Sequence, residues 1–503
     1  MAGETALRWA RLALVCLIFF IDIASLGMCT IALPSMKSDL GFDQGSLQWV
    51  LTAYALTFGG FLMVGGRLGD VFEHKFIIQV GMSLFNIATL VCGVVPNKIG
   101  LVVGRAFQGL AAALTIPSAQ ALVSLLFEDP KSRVLAFGVW GATGSTGFVL
   151  GPIFGGLFSS LANWRWIFWF TLIVEGTLQA LSLLLLWAFK GPGTNSQDND
   201  KSTFNILSRF DPLGICLSIP GLILLVYGLT TGNIHGWDQA SVIATIVIAV
   251  CLLGAFAFVE LRFAAHPLIP IYLWSDTIKI SGCVIAAFTY AVWQGANYLL
   301  TLQLQDFGFS ALQTSVHFLP LGITACVVNF IIPHLLSPVG PRLLLTISWI
   351  LAIVGVFLLS LMNSNDDYWR YCLPGMILYI TGVGTVYYVG NVVVVASALA
   401  KDQGSISGVY NMCLNVGGAV LGVAVLTVID NSVTANNGGQ KDAQARLDGY
   451  RAGYYGAIFM CGLAIILSVL AIRPKKGADA TADEQCEAES DSSRATPSSK
   501  ENV

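Results

Sequence analysis

The stretch Gly141 to Gly156, GATGSTGFVLGPIFGG, is a helix-length apolar segment with glycine at positions 141, 144, 147, 151 and 155. Steps of three or four residues place these glycines on one face of a single α-helix. Each interior glycine costs about 0.8–1 kcal/mol relative to alanine, so the segment would be a poor helix in water. In lipid the same bare face allows a second helix to pack very close. The stretch therefore predicts a membrane helix with a tight helix contact.

The composition also indicates an integral membrane protein. Hydrophobic residues make up 55% of the 503 residues, charged residues only 11%, and the mean hydropathy is +0.74. A soluble domain of average composition is far more polar. The net charge is −3 and the basic residues are scattered, so nothing in the charge pattern supports nucleic-acid binding.

The eleven cysteines predict neither a disulfide framework nor a metal site. Almost all of them lie inside long apolar runs, and no pair has metal-ligand spacing, so they resemble small core hydrophobes. The N-terminal apolar run continues to spanning length without a processing site. We expect it to remain as a membrane anchor.

Fourteen apolar stretches are about 20 residues long, the length that crosses the hydrocarbon core. An even number of spans places both termini on one side of the membrane. Most of the 26 lysines and arginines fall on that side, so the positive-inside rule predicts cytoplasmic termini. The predicted spans lie near 12–34, 46–66, 76–96, 99–122, 134–158, 166–189, 212–231, 240–259, 280–302, 313–335, 343–362, 372–396, 404–429 and 452–472.

The predicted fold class is an all-α integral membrane protein with fourteen transmembrane helices. Two pseudo-symmetric six-helix bundles flank two additional helices. A weak sequence repeat relates 66–75 to 333–342. Each segment is the turn that follows the second helix of its six-helix group, so the repeat supports a division of the chain into two halves. The predicted units are an N-terminal bundle (1–190), a cytoplasmic connector with the two additional helices (191–275), a C-terminal bundle (276–474) and a disordered cytoplasmic tail (475–503).

Several motifs together resemble one family. The chain is similar to the fourteen-span drug:proton antiporter branch of the major facilitator superfamily, of the fungal multidrug and toxin efflux type. The resemblance covers nearly the whole chain. Its motifs are the loop signature with Gly66, Leu68, Asp70 and Lys75, the Arg105-Ala-Phe-Gln108-Gly109 sequence, the glycine helix ending Gly151-Pro152 and Gly155-Gly156, the Trp164-Arg165-Trp166 sequence, and Phe210-Asp211-Pro-Leu-Gly214 at the start of the extra pair.

The resemblance assigns conformational roles to two of these motifs. The loop after the second span is implied to hold the two halves together in one conformation and release them in another; its residues are Gly66, Arg67, Asp70 and Lys75. The antiporter helix motif of the fifth span consists of Gly147, Gly151, Pro152, Gly155 and Gly156.

The chain departs from the family pattern at two places. Glu73 and His74 stand where the family usually has glycine and arginine. The branch places an aspartate nine residues before the proline that ends its first helix, but here that position, counted from Pro34, is Ser25. Asp22 lies one helical turn earlier on the same face and is expected to substitute.

Three charged residues fall well inside predicted spans: Asp22, Arg105 and Glu175. A charge at the bilayer centre costs about 2.5–3.5 kcal/mol, so each needs a partner, a water-filled cavity or neutralisation. At 1.5 Å per residue, Asp22 and Glu175 each lie about 15 Å deep, near the midplane. Asp22 is the first candidate to carry a coupled proton, with Glu175 second. Arg105 stays charged and can act on a nearby acid, and Gln108 is its predicted hydrogen-bonding neighbour.

Candidate substrate contacts lie in three later spans. Aromatic rings with a few amides suit amphipathic organic molecules, although aromatic residues at helical spacing are also common in plain packing. The candidates are Tyr290, Trp293, Gln294 and Asn297 in the ninth span, Tyr387 and Asn391 in the twelfth, and Asn411 and Asn415 in the thirteenth.

The predicted function is export of small organic compounds, such as drugs, toxins or secondary metabolites, in exchange for protons. The expected partners are the substrate, protons and the lipid bilayer, and the proton gradient is the driving force in place of a cofactor. We expect a monomer in the plasma membrane, with the vacuolar membrane as the alternative. The sequence shows no nucleotide-binding loop, zinc cluster or nucleophile elbow, so we expect no enzyme. The alternatives are a proton-coupled importer or facilitator of nutrients, a sensor of the same fold that does not transport and, distantly, an enzyme of lipid chemistry.

Overall fold

The computed structural model describes most of the chain as helix. The described residues are 2–42, 47, 49–127, 129–187, 211–263, 269, 277–309, 311–395, 398–399, 402–439 and 441–471. Residues 191–210 of the predicted connector and the predicted tail over 475–503 lie outside the described residues.

Six long helices form the first group. Their ends follow local signals: Asn97 and Asp129 accept hydrogen bonds from Gly100 and Ser132 as N-caps of the fourth and fifth helices. The helices are α1 (Ala2–Leu40), α2 (Trp49–Phe72), α3 (His74–Val94), α4 (Lys98–Leu126), α5 (Pro130–Leu161) and α6 (Arg165–Trp187).

Eight further long helices follow, two in the additional pair and six in the second group. Two of them contain π-helical turns, at Asn391–Val395 and Gly418–Val425. The helices are α7 (Pro212–His235), α8 (Ala240–Arg262), α9 (Thr277–Asp306), α10 (Leu319–Val339), α11 (Pro341–Ser360), α12 (Cys372–Val395), α13 (Gln403–Asn436) and α14 (Ala443–Ala471).

Among the described residues, thirteen helices are both long and apolar enough to cross a membrane, and α9 completes the predicted set of fourteen. With 30 residues, α9 is about 45 Å long and spans the hydrocarbon easily. Its lower hydropathy comes from the polar side chains of Thr289, Gln294, Asn297, Thr301 and Gln303. The predicted fourteen-helix fold is confirmed, and its least apolar helix begins the second bundle.

The glycine face of α5 packs directly against α1. A methyl group added at Gly155 would lie 2.5 Å from the backbone oxygen of Met28, and one at Gly151 would lie 2.6 Å from that of Ala24. Gly147 makes a similar approach one turn earlier. Side chains at these positions would push the helices apart, so the bare face predicted from the sequence is a close contact between two helix backbones.

Pro152 and Gly156 complete the motif of α5, and Gly141 contacts the second bundle. Pro152 packs on Gly27 of α1, with its Cδ atom 2.7 Å from the position of a Cβ atom at Gly27, and Gly156 is half-buried. Near the start of α5, Gly141 faces the side chain of Asn329 on α10. The helix thus contacts its own bundle on one face and the second bundle on another.

The second bundle repeats the same arrangement between its first and fifth helices, α9 and α13. Gly417 lies against the backbone of Ala287, and a methyl group at Gly422 would lie 2.5 Å from the backbone oxygen of Ala291. Successive turns of α9 and α13 therefore meet through small residues, as α1 and α5 do. The additional helix α7 packs across α2 and the middle of α13.

Successive helices cross the membrane in opposite directions, so odd-numbered helices begin at one membrane face. We call the face where α1 begins the N-terminal face, and the other the opposite face. The two bundles meet mainly through α2 with α13, α5 with α10, and α4 with α13. These contacts bring the turn between α2 and α3 next to the start of α13.

Candidate functional site

The buried acid of α1 is held by a tyrosine of α2. Asp22 is only 6% exposed, and the hydroxyl of Tyr54 donates a hydrogen bond of 2.9 Å to its Oδ1 atom. The Oδ2 atom of Asp22 is buried and has no hydrogen-bond partner among the described residues. One oxygen is therefore anchored while the other is open to a proton.

Arg105 lies on the other side of the same tyrosine. Its guanidinium carbon is 4.7 Å from the centre of the Tyr54 ring, and its Nε donates to the backbone oxygen of Val50 at 3.0 Å. A cation over a desolvated ring contributes about 2 kcal/mol. Because Arg105 is fully buried, this stacking and its hydrogen bonds are what hold the charge inside the bundle.

Gln108 continues the arrangement toward α3, as the sequence predicted. Arg105 donates to the Oε1 atom of Gln108 at 2.8 Å, and the Nε2 atom of Gln108 donates to the Thr89 hydroxyl at 2.6 Å. Helices α1, α2 and α3 thus contribute one side chain each, and α4 contributes two, to a chain that runs from Asp22 through Tyr54, Arg105 and Gln108 to Thr89. We call these five residues the central cluster.

Glu175 of α6 lies beside this cluster without joining its hydrogen bonds. The residue is 3% exposed, its Oε2 atom is buried without a hydrogen-bond partner among the described residues, and it interacts electrostatically with Asp22. A buried carboxyl group without a partner is costly in a membrane, so Glu175 is a second candidate functional residue of this bundle. The N-terminal bundle therefore contains two buried carboxyl groups, Asp22 and Glu175, that interact electrostatically.

The predicted substrate contacts of α9 gather in an aromatic region where the bundles meet. Trp293 contacts Phe148 of α5 edge-on at 5.3 Å between ring centres and stacks on Tyr379 of α12 at 6.3 Å. The Tyr379 hydroxyl donates to Asn297 at 3.1 Å, and Gln294 packs against Gly418. Several rings and two amides therefore share one place between the halves.

A second part of this aromatic region lies nearer the N-terminal face. Tyr290 and Tyr387 pair at 6.3 Å between ring centres, and Tyr387 is hydrogen-bonded to Trp140 of α5. Trp140 in turn stacks on Phe19 of α1, with ring centres 4.1 Å apart. Aromatic contacts therefore connect α1 and α5 of the first bundle to α9 and α12 of the second.

The amides of α12 and α13 meet a glutamine of the first bundle. The Oε1 atom of Gln120, on α4, accepts from the Ser407 hydroxyl at 2.6 Å and from the Nδ2 atom of Asn411 at 2.5 Å, while its Nε2 donates to Asn391. Gln120 and Asn391 are almost fully buried, whereas Asn415 is half-buried and donates to the backbone of Asn411. The structure thus places Asn391 and Asn411 in a contact between the bundles.

The loop signature makes a second contact between the bundles, at the N-terminal face. The backbone N–H groups of Gly404 and Ser405 each donate to the Asp70 carboxylate at 2.7 Å, and the Ser405 hydroxyl adds a bond of 2.5 Å. These donors are at the start of α13, where the helix dipole favours a negative charge. Gly66 lies directly against Gly404, leaving no room for a side chain.

The other charged residues of this loop make two further interactions. Arg67 interacts electrostatically with Asp70, and Lys75 forms an ion pair of 3.0 Å with Glu73. Glu73 has φ 71° and is the only residue other than glycine with positive φ in the described part of the chain. Glycine adopts this conformation freely, so the departure from the family pattern at Glu73 carries a backbone strain of about 1–3 kcal/mol.

The opposite face carries a separate clamp around the end of α1. The Nε1 atom of Trp164 donates to Asp39 at 3.0 Å, Arg165 forms an ion pair with the same carboxylate, and its guanidinium carbon lies 4.3 Å from the centre of the Trp164 ring. The hydrogen bonds from Arg165 and then Trp164 lower the pKa of Asp39, which lies outside the spanning segments. The clamp ties α1 to α6.

Comparison with known proteins settles the family. The model of the Major Facilitator Superfamily matches residues 15–422, which is most of the chain. This protein belongs to the Major Facilitator Superfamily. It is therefore a multi-pass membrane protein of a transporter family.

Relatives of this superfamily member align over nearly their full length. The puromycin resistance protein of Streptomyces alboniger is 33% identical over 93% of this chain and 92% of its own. The cephamycin export protein of Amycolatopsis lactamdurans is 29% identical over 93% of both chains. The low affinity ammonium transporter of Saccharomyces cerevisiae is 27% identical over 92% of this chain and 88% of its own.

A solved structure supports the fold of this superfamily member. The human organic anion transporter MFSD10 superposes with a TM-score of 0.63 at 15% sequence identity. The alignment covers 92% of this chain and 99% of the other. At this identity the likeness concerns the fold alone.

Sequence reasoning missed several residues of the site. Tyr54 and Gln120 are uncharged and belong to no sequence motif, so nothing in the sequence marked them.

The predicted end of the thirteenth span, at 429, was too early. Helix α13 continues to Asn436 and buries Asp430, which is 6% exposed. Its Oδ1 atom accepts a 3.4 Å bond from Thr434. The available signal was an acidic residue directly after an apolar run, nearly two turns before the helix ends at Asn436.

The described residues contain no group of three or more histidine, cysteine, aspartate or glutamate side chains that could hold a metal ion. The chemistry that the site offers is proton binding by carboxyl groups, hydrogen bonding by amides, and contact with aromatic rings.

Proposed function

We propose that this protein exports small amphipathic organic compounds in exchange for protons. The observation that carries the proposal is the Asp22 carboxyl, buried in the first bundle with one oxygen bound by Tyr54 and the other unpartnered. A buried acid of this kind can bind a proton from one side and release it to the other. The proton gradient is the driving force, without a cofactor.

Protonation of Asp22 changes the forces between α1 and its neighbours. The ionised carboxylate is attracted to Arg105, whose charge lies across the Tyr54 ring. A proton on Asp22 removes that attraction, which is strong because the interior has a low dielectric constant. The position of α1 relative to α2 and α4 therefore depends on the proton, and α1 in turn packs on the glycine face of α5.

The contacts at the N-terminal face suit one state of an alternating-access cycle. Asp70 holds the start of α13, and Gln120 holds α12 and α13 deeper in the protein. Hydrogen bonds to charged groups contribute about 1.5–3 kcal/mol each, so opening this face costs a few kcal/mol. One proton supplies about 2.3 kcal/mol per 100 mV and about 1.4 kcal/mol per pH unit, which is of the same order.

The aromatic region suits the proposed substrates. Trp293 and Phe148 offer ring faces to an organic molecule, with the buried Tyr379 stacked behind Trp293, while Gln294 and Asn297 offer hydrogen bonds. Such a mixture accepts amphipathic molecules of moderate size. The names of the relatives from Streptomyces and Amycolatopsis, a resistance protein and an export protein, support the outward direction.

The distribution of basic residues determines the orientation that we propose in the membrane. Lysine and arginine are most frequent on the side of the N-terminal face, so we assign that face and both termini to the cytoplasm. A monomer in the plasma membrane, or in the vacuolar membrane as the alternative, completes the proposal. In this orientation the Asp70 contact closes the cytoplasmic side.

A second candidate function is proton-coupled import of a nutrient. The observation in its favour is the yeast relative, which is named an ammonium transporter. Ammonium is small and strongly hydrated, whereas the region around Trp293 is built of large rings. The chemistry of the site therefore favours export of organic compounds.

Accumulation of ethidium in a pump-deficient yeast strain distinguishes these functions. We expect cells that express the protein to accumulate less ethidium than control cells, and a protonophore to abolish the difference. Asp22→Asn, verified as expressed and correctly located, should not lower ethidium accumulation below that of control cells. Unchanged accumulation with wild type would overturn ethidium export, and increased accumulation would favour import.

A further inference from the structure

A ladder of polar side chains joins α3 to α6, away from the central cluster. The Nδ2 atom of Asn86 donates to Gln179 at 2.8 Å, and the Nε2 atom of Gln179 donates to Ser83 at 2.6 Å. One turn further on, Gln79 donates to the Ser182 hydroxyl, which itself donates to the backbone oxygen of Gln179 at 2.8 Å. These five residues are called the α3–α6 ladder.

The inner end of the ladder lies one helical turn from the central cluster and one helical turn from Glu175. On α3, Asn86 lies one turn from Thr89, the last member of the central cluster. On α6, Gln179 lies one turn from Glu175, which interacts electrostatically with Asp22. The ladder therefore begins beside Glu175, which interacts electrostatically with Asp22.

The outer end of the ladder approaches the N-terminal face. Gln79 is in the second turn of α3, which begins at His74 on that face, and Ser182 is near the end of α6 at Trp187. From Gln79 to Asn86 the ladder rises by about 10 Å. Beyond it, Arg11 of α1 donates to the backbone oxygen of Leu185 at 2.8 Å, where α6 approaches its end.

Three buried oxygens along this path lack a donor among the described residues. They are Oε1 of Gln79, Oδ1 of Asn86 and Oε2 of Glu175. A buried acceptor without a donor costs about 1–3 kcal/mol. All three are acceptors, so the path is complementary to species that supply protons: a protonated carboxyl group or water.

A purely structural contact would be built differently. Polar residues that only hold two membrane helices together work by satisfying one another. Here the hydroxyl groups of Ser83 and Ser182 have hydrogen-bond partners, but the three buried acceptor oxygens do not. They follow one another along the ladder, and the last belongs to the buried acid Glu175. Apolar residues of similar size would join α3 to α6 without those unpaired oxygens.

We propose that Glu175 holds a proton and exchanges it between Asp22 and the N-terminal face along the α3–α6 ladder. The proton leaves the Asp22 carboxyl, binds the Glu175 carboxylate, and moves outward over water and the hydroxyl groups of Ser83 and Ser182, while the amides orient that water. No electrons are exchanged. The inference rests on the proposed proton coupling and adds its route, which runs between two helices of one bundle and bypasses the space where substrate binds.

Infrared spectroscopy of the purified full-length protein in lipid nanodiscs tests this route without a substrate. A protonated carboxyl group gives a C=O stretching band that shifts when its proton is replaced by deuterium. We expect one such band to disappear in Glu175→Gln and to persist in Asp22→Asn. After transfer to deuterated buffer, the shift of that band should be about tenfold slower in Gln179→Leu, the equivalent of one lost hydrogen bond.

A matched control lies on the same helix. Thr177 faces outward on α6, and its hydroxyl bonds only to the backbone oxygen of Ile173. Thr177→Val therefore removes a hydroxyl from α6 without touching the ladder, and we expect unchanged exchange. Thermal unfolding and size-exclusion profiles establish that each variant is folded. Glu175→Asp should restore a carboxyl band that Glu175→Gln lacks.

Two results would overturn the inference. If Glu175→Gln retains every carboxyl band of the wild type, Glu175 holds no proton. If Gln179→Leu exchanges as fast as Thr177→Val, the ladder is not the route. Neither result depends on transport, so failure of the route is distinguishable from failure of export, which the ethidium experiment measures.

Discussion

The two bundles share one packing scheme and differ in their chemistry. In each, the first and fifth helices meet through small residues: α1 with α5 at Gly151 and Gly155, and α9 with α13 at Gly417 and Gly422. The first bundle encloses Asp22, Arg105 and Glu175, whereas the corresponding place in the second bundle holds aromatic rings and amides.

This difference suggests a division of labour. Buried charges are costly in a membrane and persist where protons or ions are handled, so the first bundle is suited to proton coupling. Rings and amides bind organic molecules without titrating, so the second bundle is suited to the substrate. Asp430 is the exception: it is buried in α13, but it lies in the last two turns of that helix, at the opposite face.

Replacing Arg105 should have the largest effect on transport, because its side chain contacts Tyr54, Val50 and Gln108 in the centre of the first bundle. Arg105→Lys keeps the charge but cannot reproduce both the stacking on Tyr54 and the bonds to Val50 and Gln108. We expect proton-driven ethidium transport in liposomes to fall by about a hundredfold, equivalent to about 2.7 kcal/mol. Transport within threefold of wild type would mean that the charge alone suffices.

The shared packing scheme can be broken equally in both bundles. Gly155→Ala and Gly422→Ala each place a methyl group about 2.5 Å from a backbone oxygen of the facing helix. We expect each to lower the free energy of unfolding by about 1–3 kcal/mol, measured by thermal or denaturant unfolding. Gly176→Ala is the control, since nothing lies within 4 Å of its added methyl group. A loss in one bundle only would refute the shared scheme.

Removing a ring from the second bundle should alter substrate binding and leave proton coupling intact. Trp293→Ala removes the contacts with Phe148 and Tyr379. We expect ethidium affinity to fall about tenfold, from the loss of about 1.4 kcal/mol of ring contact. The dependence of transport on the pH gradient should stay as in wild type. A changed pH dependence with unchanged affinity would contradict the division of labour.

Removing the clamp at the opposite face with Asp39→Asn should have the smallest effect, a pH-dependent loss of stability. The folded protein lowers the pKa of Asp39, so the clamp stabilises the fold above the unfolded pKa, about 3.9, and this contribution is lost as pH falls through the lower, folded value. Asp39 is half-exposed, so the contribution stays below about 1 kcal/mol. The Tm difference between wild type and Asp39→Asn should shrink between pH 7 and pH 3; a constant difference would exclude the ionic contribution.

The helices were predictable because hydropathy determines which segments cross a bilayer. Even α9 was identified, although Gln294 and Asn297 make it the least apolar span. The glycines of α5 predicted a close contact but not its partner, since a sequence does not say which helix faces a bare surface. The structure identifies that partner as α1, with Gly141 turned toward α10.

The site was predictable only where charge or a motif marked it. Asp22, Arg105 and Glu175 stood out because charges are rare inside spans, and Asp70 because it belongs to a signature. Tyr54, which connects Asp22 to Arg105, is an ordinary aromatic residue by sequence. The positive φ of Glu73 was equally hidden, since only the backbone reveals it.

The most direct test of proton coupling through the first bundle is made in liposomes that contain the purified protein, with a pH-sensitive dye inside and ethidium supplied. For wild type we predict that ethidium moves against its gradient while protons move the other way. Asp22→Asn should still exchange ethidium down its gradient but should neither concentrate it nor move protons. Uphill ethidium transport with proton movement in Asp22→Asn would contradict the account.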